Sequence, residues 1–206
     1  MKRALLLMLA VLPLAGCLGI SLGIPDTPGA FINAPQGKEF EAIQPVDPRD
    51  AIVYIYRPVS EWGYAEVQAP TFFVNDDQLF GLKSGAYSWI ELHPGNYDLY
   101  ARRPLSVLFL KTIFNLRLHV EGTKVYYFRY SELHPLDMQL VTNDPHAYAS
   151  DGPLQQVPAD VAIREIQHLK LDETGVFYGG GKTMPRWAPF YTYPADNSAS
   201  QTLLKQ

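Results

Sequence analysis

The sequence predicts a mainly β protein: an antiparallel β-sandwich with one amphipathic helix near its C-terminus. Three observations point there. Between residues 51 and 130, short runs rich in β-branched and aromatic residues recur, bounded by Pro, Gly, Asn or Asp. The chain holds 13 Tyr, 10 Phe and 3 Trp, which suit half-buried pleated surfaces. After Pro158 the period changes, and apolar residues gather on one side of a helix.

In chain order, Ala51-Ile52-Val53-Tyr54-Ile55-Tyr56-Arg57, closed by Pro58, is apolar on both faces and reads as a central strand. A loop through Glu61-Trp62-Gly63 leads to a strand at 71–74. Asn75-Asp76-Asp77 turns it back into a partner at 78–82. Lys83-Ser84-Gly85 turns again into a strand at 86–92. His93-Pro94-Gly95-Asn96 has Pro and Gly at the central positions of a type II turn, so residues 97–101 are expected to pair back antiparallel. Ile55 and Leu99 fall in the interior of the resulting sandwich. Pro104 opens an apolar run over 105–114 that suits a helical face or a buried strand. Core is its simple reading, and a membrane-facing element beside Arg102 and Arg103 the sharper one. Leu116, Leu118 and Val120 alternate with Arg117, His119 and Glu121 as a half-buried strand, which Gly122-Thr123 turns into another at 124–130. Residues 131–153 are loop, with one strand at 138–142. Pro158 at the first helical position and Asp160 in the first turn start the helix. Val161, Ile166 and Leu169 share a side of it through Leu171, and Ile163 falls off that side.

The N-terminus carries an address. Lys2 and Arg3 precede an uncharged run that ends in small residues and the chain's single cysteine, Leu14-Ala15-Gly16-Cys17. This is the layout of a secretory signal peptide. The small residues let a peptidase cleft accept the extended backbone before the cut. The four residues resemble the lipobox of bacterial lipoproteins. That resemblance implies that the Cys17 sulfur receives a diacylglycerol, that the chain is cut before it, and that the new amine is often acylated. Leu18, rather than aspartate, follows, which by resemblance to Gram-negative sorting allows the periplasmic face of the outer membrane. The competing reading is a retained transmembrane helix, since the uncharged stretch from Ala4 to Ile24 is 21 residues long. Pro13, Gly16, Gly19 and Gly23 speak against it.

Four segments follow: a signal over 1–16, a Pro/Gly-rich tether over 17–50, the sandwich with its helix over 51–171, and an irregular tail over 172–206. The tether spans ~90 Å at most, with Phe31, Ile32, Phe40 and Ile43 as the places where it can lie on the domain. In the tail, Trp187, Phe190, Tyr191 and Tyr193 pack on the sandwich or dock a partner.

Val74-Asn75-Asp76-Asp77, Gly81, Gly85 and Leu92-His93-Pro94-Gly95-Asn96-Tyr97-Asp98-Leu99 resemble PEGA-type surface-layer domains. More closely, the chain is similar to uncharacterised bacterial lipoproteins built as Tyr-x-Tyr-Arg, Asp-Gly, Gly, Pro-Gly-x-Tyr. The resemblance covers roughly residues 50–130 and implies a small β-sandwich without known catalysis. It departs at Asp77, where glycine is usual.

Chemistry is sparse. Without residues 1–16 the chain has 190 residues and a formal charge of −6, which argues against nucleic acid as a partner. Cys17 is consumed by lipid, so no disulfide forms. Gly179-Gly180-Gly181-Lys182-Thr183 is no P-loop, because Val176 stands where the first glycine is required and Pro185 and Pro189 interrupt any helix after it. His93, His134 and His146 flank prolines in loops, His119 lies on a polar strand face and His168 on the helix. No pair has metal-ligand spacing. Asp76 and Asp77 serve turn geometry, and Asp144 and Asp151 sit in loops. Catalytic residues, metal and cofactor are therefore read as none, with Cys17 the one modified site. The expected function is a lipid-anchored, non-enzymatic binding or structural module of the cell envelope, partnered by the membrane through Cys17 and by an envelope protein. The alternative is a lipid-anchored hydrolase of envelope polymers, its site built from loop residues such as His93, His134 and Asp144.

Overall fold

The computed structural model describes residues 27–102, 113–137, 152–173, 175–179 and 183–185. Cys17 and the signal run, most of the 105–114 run, the strand expected at 138–142, and the cluster around Trp187 lie outside the described residues. Among the described residues the fold is mainly β, with two sheets and two helices.

Everything is arranged on β1 (Ala51–Arg57), where each residue is buried. Alternate side chains serve two clusters: Ala51, Val53 and Ile55 enter one, and Ile52, Tyr54 and Tyr56 the other. Along one edge β1 pairs antiparallel with β4 (Ala86–Leu92), Ala51 opposite Leu92. Along the other it pairs parallel with β7 (Val125–Tyr130), Ile52 opposite Val125. Outside these lie β8 (Leu154–Val157), paired with β7, and β10 (Val176–Tyr178), β11 (Thr183–Pro185) and β9 (Lys170–Leu171) on the β4 side. The smaller sheet holds β2 (Thr71–Val74), β3 (Asp77–Gly81), β5 (Gly95–Arg102) and β6 (Ile113–Val120), in the order β3-β2-β5-β6. Phe72, Val74, Leu99, Ala101, Leu118 and Val120 of this sheet share the first cluster with Val53, Ile55, Ile90 and Phe128 of the larger one.

Three expectations need correction. The turn at 93–96 does not close a hairpin. Gly85 is the glycine with positive φ among the described residues, so Gly95 lacks the left-handed conformation that a type II turn requires. β5 joins β2 and β6 instead of β4, and the chain passes from the larger to the smaller sheet at His93-Pro94. Ile90 and Leu92 of β4 and Leu99 and Ala101 of β5 can then face one cluster from opposite sides. The sheets are also not wholly antiparallel. Because β7 enters the larger sheet by crossing from β6 at Gly122-Thr123, it runs parallel to β1, and β9 and β10 run parallel to β4. The helix is shorter than expected. It is α2 (Ala159–Ile166), with Pro158 as N-cap rather than first helical residue, and Lys170-Leu171 turn into β9. Ala162 and Ile166 are buried and Ile163 is exposed.

The β2–β3 turn forms with φ of 47° at Asn75 and 70° at Asp76, the two positive values of a type I′ turn, and Asp77 opens β3. From Thr27 onward, the segment read as a tether is laid along the sheets. Phe40 sits edge-on to Tyr54 and Tyr87 at 5.1 and 5.3 Å, and Ile43 joins the same cluster. Buried Glu91 accepts the amides of Val46 and Asp47. Phe31 and Ile32 remain exposed. Past residue 171, β10 and β11 are sheet, not irregular tail. A further helical turn, α1 (Glu61–Tyr64), follows Ser60, whose Oγ accepts from the Gly63 amide. Among the described residues no helix is long and apolar enough to cross a membrane.

Burial raises the hydroxyl pKa of Tyr54 and Tyr56 far above the usual phenol value. The neutral form is therefore favoured in the folded state. Its stabilisation is complete below the unfolded pKa of about 10 and is lost as pH rises beyond it, by up to about 1.4 kcal/mol per pH unit for each tyrosine. We expect phenolate absorbance from these two rings only together with alkaline unfolding. Smooth titration near pH 10 in a folded sample would contradict their burial.

Candidate functional site

Among the described residues, a candidate histidine meets a carboxylate at hydrogen-bond distance where β1 begins and β4 ends. Asp50 precedes β1 and His93 follows β4, and the opposed pair Ala51–Leu92 brings the flanking residues together. His93 Nδ1 lies 2.5 Å from Asp50 Oδ1. A carboxylate offers only acceptors, so Nδ1 carries the hydrogen of this bond. The Asp50 side chain is fully buried, whereas that of His93 is 40% exposed. The ring stands edge-on to Phe177 at 5.0 Å, and the His93 carbonyl accepts from the Tyr97 hydroxyl at 2.9 Å. Burial first, and then the nearby Asp50 charge, raises the Tyr97 pKa, so that hydroxyl stays a neutral donor. Asp50 is fixed by its own backbone, its amide donating to Asp47 O and its carbonyl accepting from Thr123 N.

Two concavities adjoin this end. A cleft of about 280 Å³ is lined by Ile43, Pro45, Asp50, Ile52 and Lys124 among others. Asp50 Oδ2 is buried there without a protein hydrogen-bond partner. An open groove of about 650 Å³ lies beyond Lys124, lined by Asn96, Arg117, His119, Tyr126 and Gln156 among others. Its charges pair with each other, Arg117 with Asp98 at 3.7 Å and Lys124 with Glu121 at 2.6 Å, and His119 faces Asn96 Oδ1 at 2.8 Å. The groove thus presents a mixed, self-compensated polar surface rather than one sign of charge.

An oriented imidazole can accept or pass a proton, but a hydrolase needs more than one such group in a cleft. His134 does not join His93. It follows β7, at the Arg57 end of the sheet, and is exposed, its carbonyl accepting from Arg129 Nη1. His168 is exposed just past α2. Asp76 is occupied by the Tyr100 hydroxyl, and Asp77 by that of Tyr178, whose pKa burial and this bond push up to about 12. Asp144, His146 and Asp151 lie outside the described residues, as does Cys17. Gly179 follows β10, and Thr183 opens β11. Among the described residues no group of three or more His, Cys, Asp or Glu is placed to hold a metal. Sequence reasoning named His93 but missed Asp50; once 51–57 and 86–92 are paired antiparallel, residues 50 and 93 must meet.

Comparison with known families reaches this part of the chain. Residues 48–144 match the family model described as a protein of unknown function, DUF2846. The DUF2846 match takes in Asp50 and β1 through β7, and stops short of β8, α2 and the strands that follow. It does not carry the PEGA-type resemblance, which stays a matter of turn residues. No curated protein and no solved structure gives a significant match.

Proposed function

We propose that the chain is a bacterial envelope lipoprotein held to a membrane through lipid on Cys17, and that its DUF2846 region is a non-enzymatic binding or structural module. In this reading the two sheets stack as a β-sandwich, supported by the single cluster to which both contribute. The observation that carries the functional side is dispersal. His93 and His134 lie at opposite ends of β1, about 23 Å of strand apart at 3.3 Å per residue. A hydrolase built from both would need them in one cleft. The envelope and, in a Gram-negative cell, the periplasmic face of the outer membrane follow from the signal and from Leu18.

Two experiments test it. Cys17→Ser keeps the size of the side chain but removes the thiolate that attacks a lipid donor. The variant should accumulate as an uncut precursor without acyl chains, seen by intact mass and by labelled palmitate on the wild type. Wild type that keeps Met1 through Gly16 and carries no lipid would make the chain a single-span membrane protein instead. His93→Ala, in a folded protein, should leave cellular function near normal. Its loss would turn the Asp50–His93 pair into a catalytic one.

A further inference from the structure

The two ends of the larger sheet differ in kind. Where β1 begins, charged pairs predominate, Arg49 with Asp47 and Lys124 with Glu121, and the exposed apolar side chains there, Val46 and Val125, each stand next in sequence to a member of such a pair. Where β1 ends, two neighbouring segments expose large apolar side chains. Phe31 (69% exposed) and Ile32 lie on the first segment, and Val59 (72%), Trp62, Tyr64 and Val67 on the second. Backbone bonds hold the segments together, from Gly29 N to Val67 O and from Phe31 N to Glu66 O. Residues 27–36 carry no charged side chain. Among residues 58–67, Glu61 is exposed, while Glu66 turns inward to Arg57. Single exposed apolar residues are ordinary, but a group of this size on one end marks a surface that is used.

We infer that this end of the domain rests on the lipid bilayer, with Trp62, Tyr64 and Phe31 at headgroup depth; the inference depends on lipid attachment at Cys17. The length of chain ahead of the patch supports it. Thr27 pairs with Ala69 beside the patch, its carbonyl accepting the Ala69 amide. It stands ten residues after Cys17, a stretch that spans at most ~36 Å when fully extended. The anchor therefore keeps this end near the membrane while the charged end points away. Trp and Tyr are the residues that favour the membrane–water interface, where an amphipathic ring finds both media. The patch carries no excess of basic residues, so the contact is apolar rather than electrostatic, and insensitive to salt.

The test uses the full, lipidated chain in vesicles of phosphatidylethanolamine and phosphatidylglycerol, with and without phospholipid brominated near the headgroup. Subtracting the emission of Trp62→Phe isolates Trp62 from Trp89 and Trp187. Intact mass first establishes the acyl chains on Cys17. If they are present, brominated lipid should quench Trp62 emission about two-fold, equally at low and high salt. The double variant F31S/V59S, altered only at exposed positions, should reduce that quenching. Acylated protein whose Trp62 is not quenched overturns the membrane contact and leaves the lipoprotein reading standing, with the patch assigned to a protein partner. Unacylated protein overturns the lipoprotein reading, and this inference with it.

Discussion

Arg57→Ala should destabilise the domain by about 3–5 kcal/mol. Arg57 is 2% exposed at the end of β1. Its Nη1 donates to Glu66 Oε2 at 3.0 Å and to Leu82 O at 2.9 Å, and its Nη2 donates to Glu66 Oε1 and Glu132 Oε2 at 3.2 and 3.3 Å. It also lies 5.4 Å from the centre of the Tyr130 ring. One side chain thereby ties the loop before β2, the end of β3 and the segment after β7 to the central strand. Truncation takes the Arg57 guanidinium away from two acids, 9% and 12% exposed, and losing that counter-charge at a largely buried place is the main cost. Arg57→Lys keeps a charge but not the planar fork, and should fall between wild type and alanine. Denaturant midpoints measure the series. If charge is the cause, R57A combined with E66Q should lose less than the two single losses added. Strict additivity would mean that packing, not the ion pair, dominates.

Ile55→Ala and Leu99→Ala should each cost about 2–5 kcal/mol. Ile55 is 0% exposed and Leu99 1%, on β1 and β5, one in each sheet and both in the shared cluster. Removing either leaves a cavity in the apolar layer to which both sheets contribute. A domain of this size holds about 5–15 kcal/mol in all, so melting should fall by roughly 5–20 °C. Ile163→Ala on the exposed side of α2 is the control, expected within about 0.5 kcal/mol. A Leu99→Ala loss as small as that control would mean that the smaller sheet does not bear on the larger.

What could be read from residues alone follows from how locally each feature is determined. β1 announced itself because a continuous apolar and aromatic run needs burial on both faces, and β4 and β7 because each follows turn residues, Lys83-Ser84-Gly85 and Gly122-Thr123. The β2–β3 hairpin did so because Asn75 and Asp76 tolerate left-handed backbone. Partnership was less legible. His93-Pro94-Gly95-Asn96 has turn chemistry, yet whether such a corner folds back or passes to another sheet depends on which faces must meet, a non-local matter. β8 escaped because Leu154-Gln155-Gln156-Val157 is short and half polar; its burial depends on Gln155 exchanging two bonds with the backbone of Leu136, at 2.7 Å each. The fit of residues 38–46 to the sheet was foreshadowed by Phe40 and Ile43, but not by Glu91, whose buried carboxylate fixes the path. Of the site, the imidazole was visible and its acid was not.

The burial of β1 on both faces and both edges has a consequence before the fold exists. Ala51-Ile52-Val53-Tyr54-Ile55-Tyr56 is uncharged, free of proline and glycine, and rich in strand formers, the composition of an aggregation-prone segment. Its parallel partner β7 lies some seventy residues downstream, so a chain emerging N-terminus first must wait for that partner. During the wait, the flanking charges of Asp50 and Arg57 are what discourage the segment from pairing with another chain, in the manner of gatekeepers. Both later become buried, each against an opposite or polar partner. The same two residues thus guard the nascent strand and then close its ends.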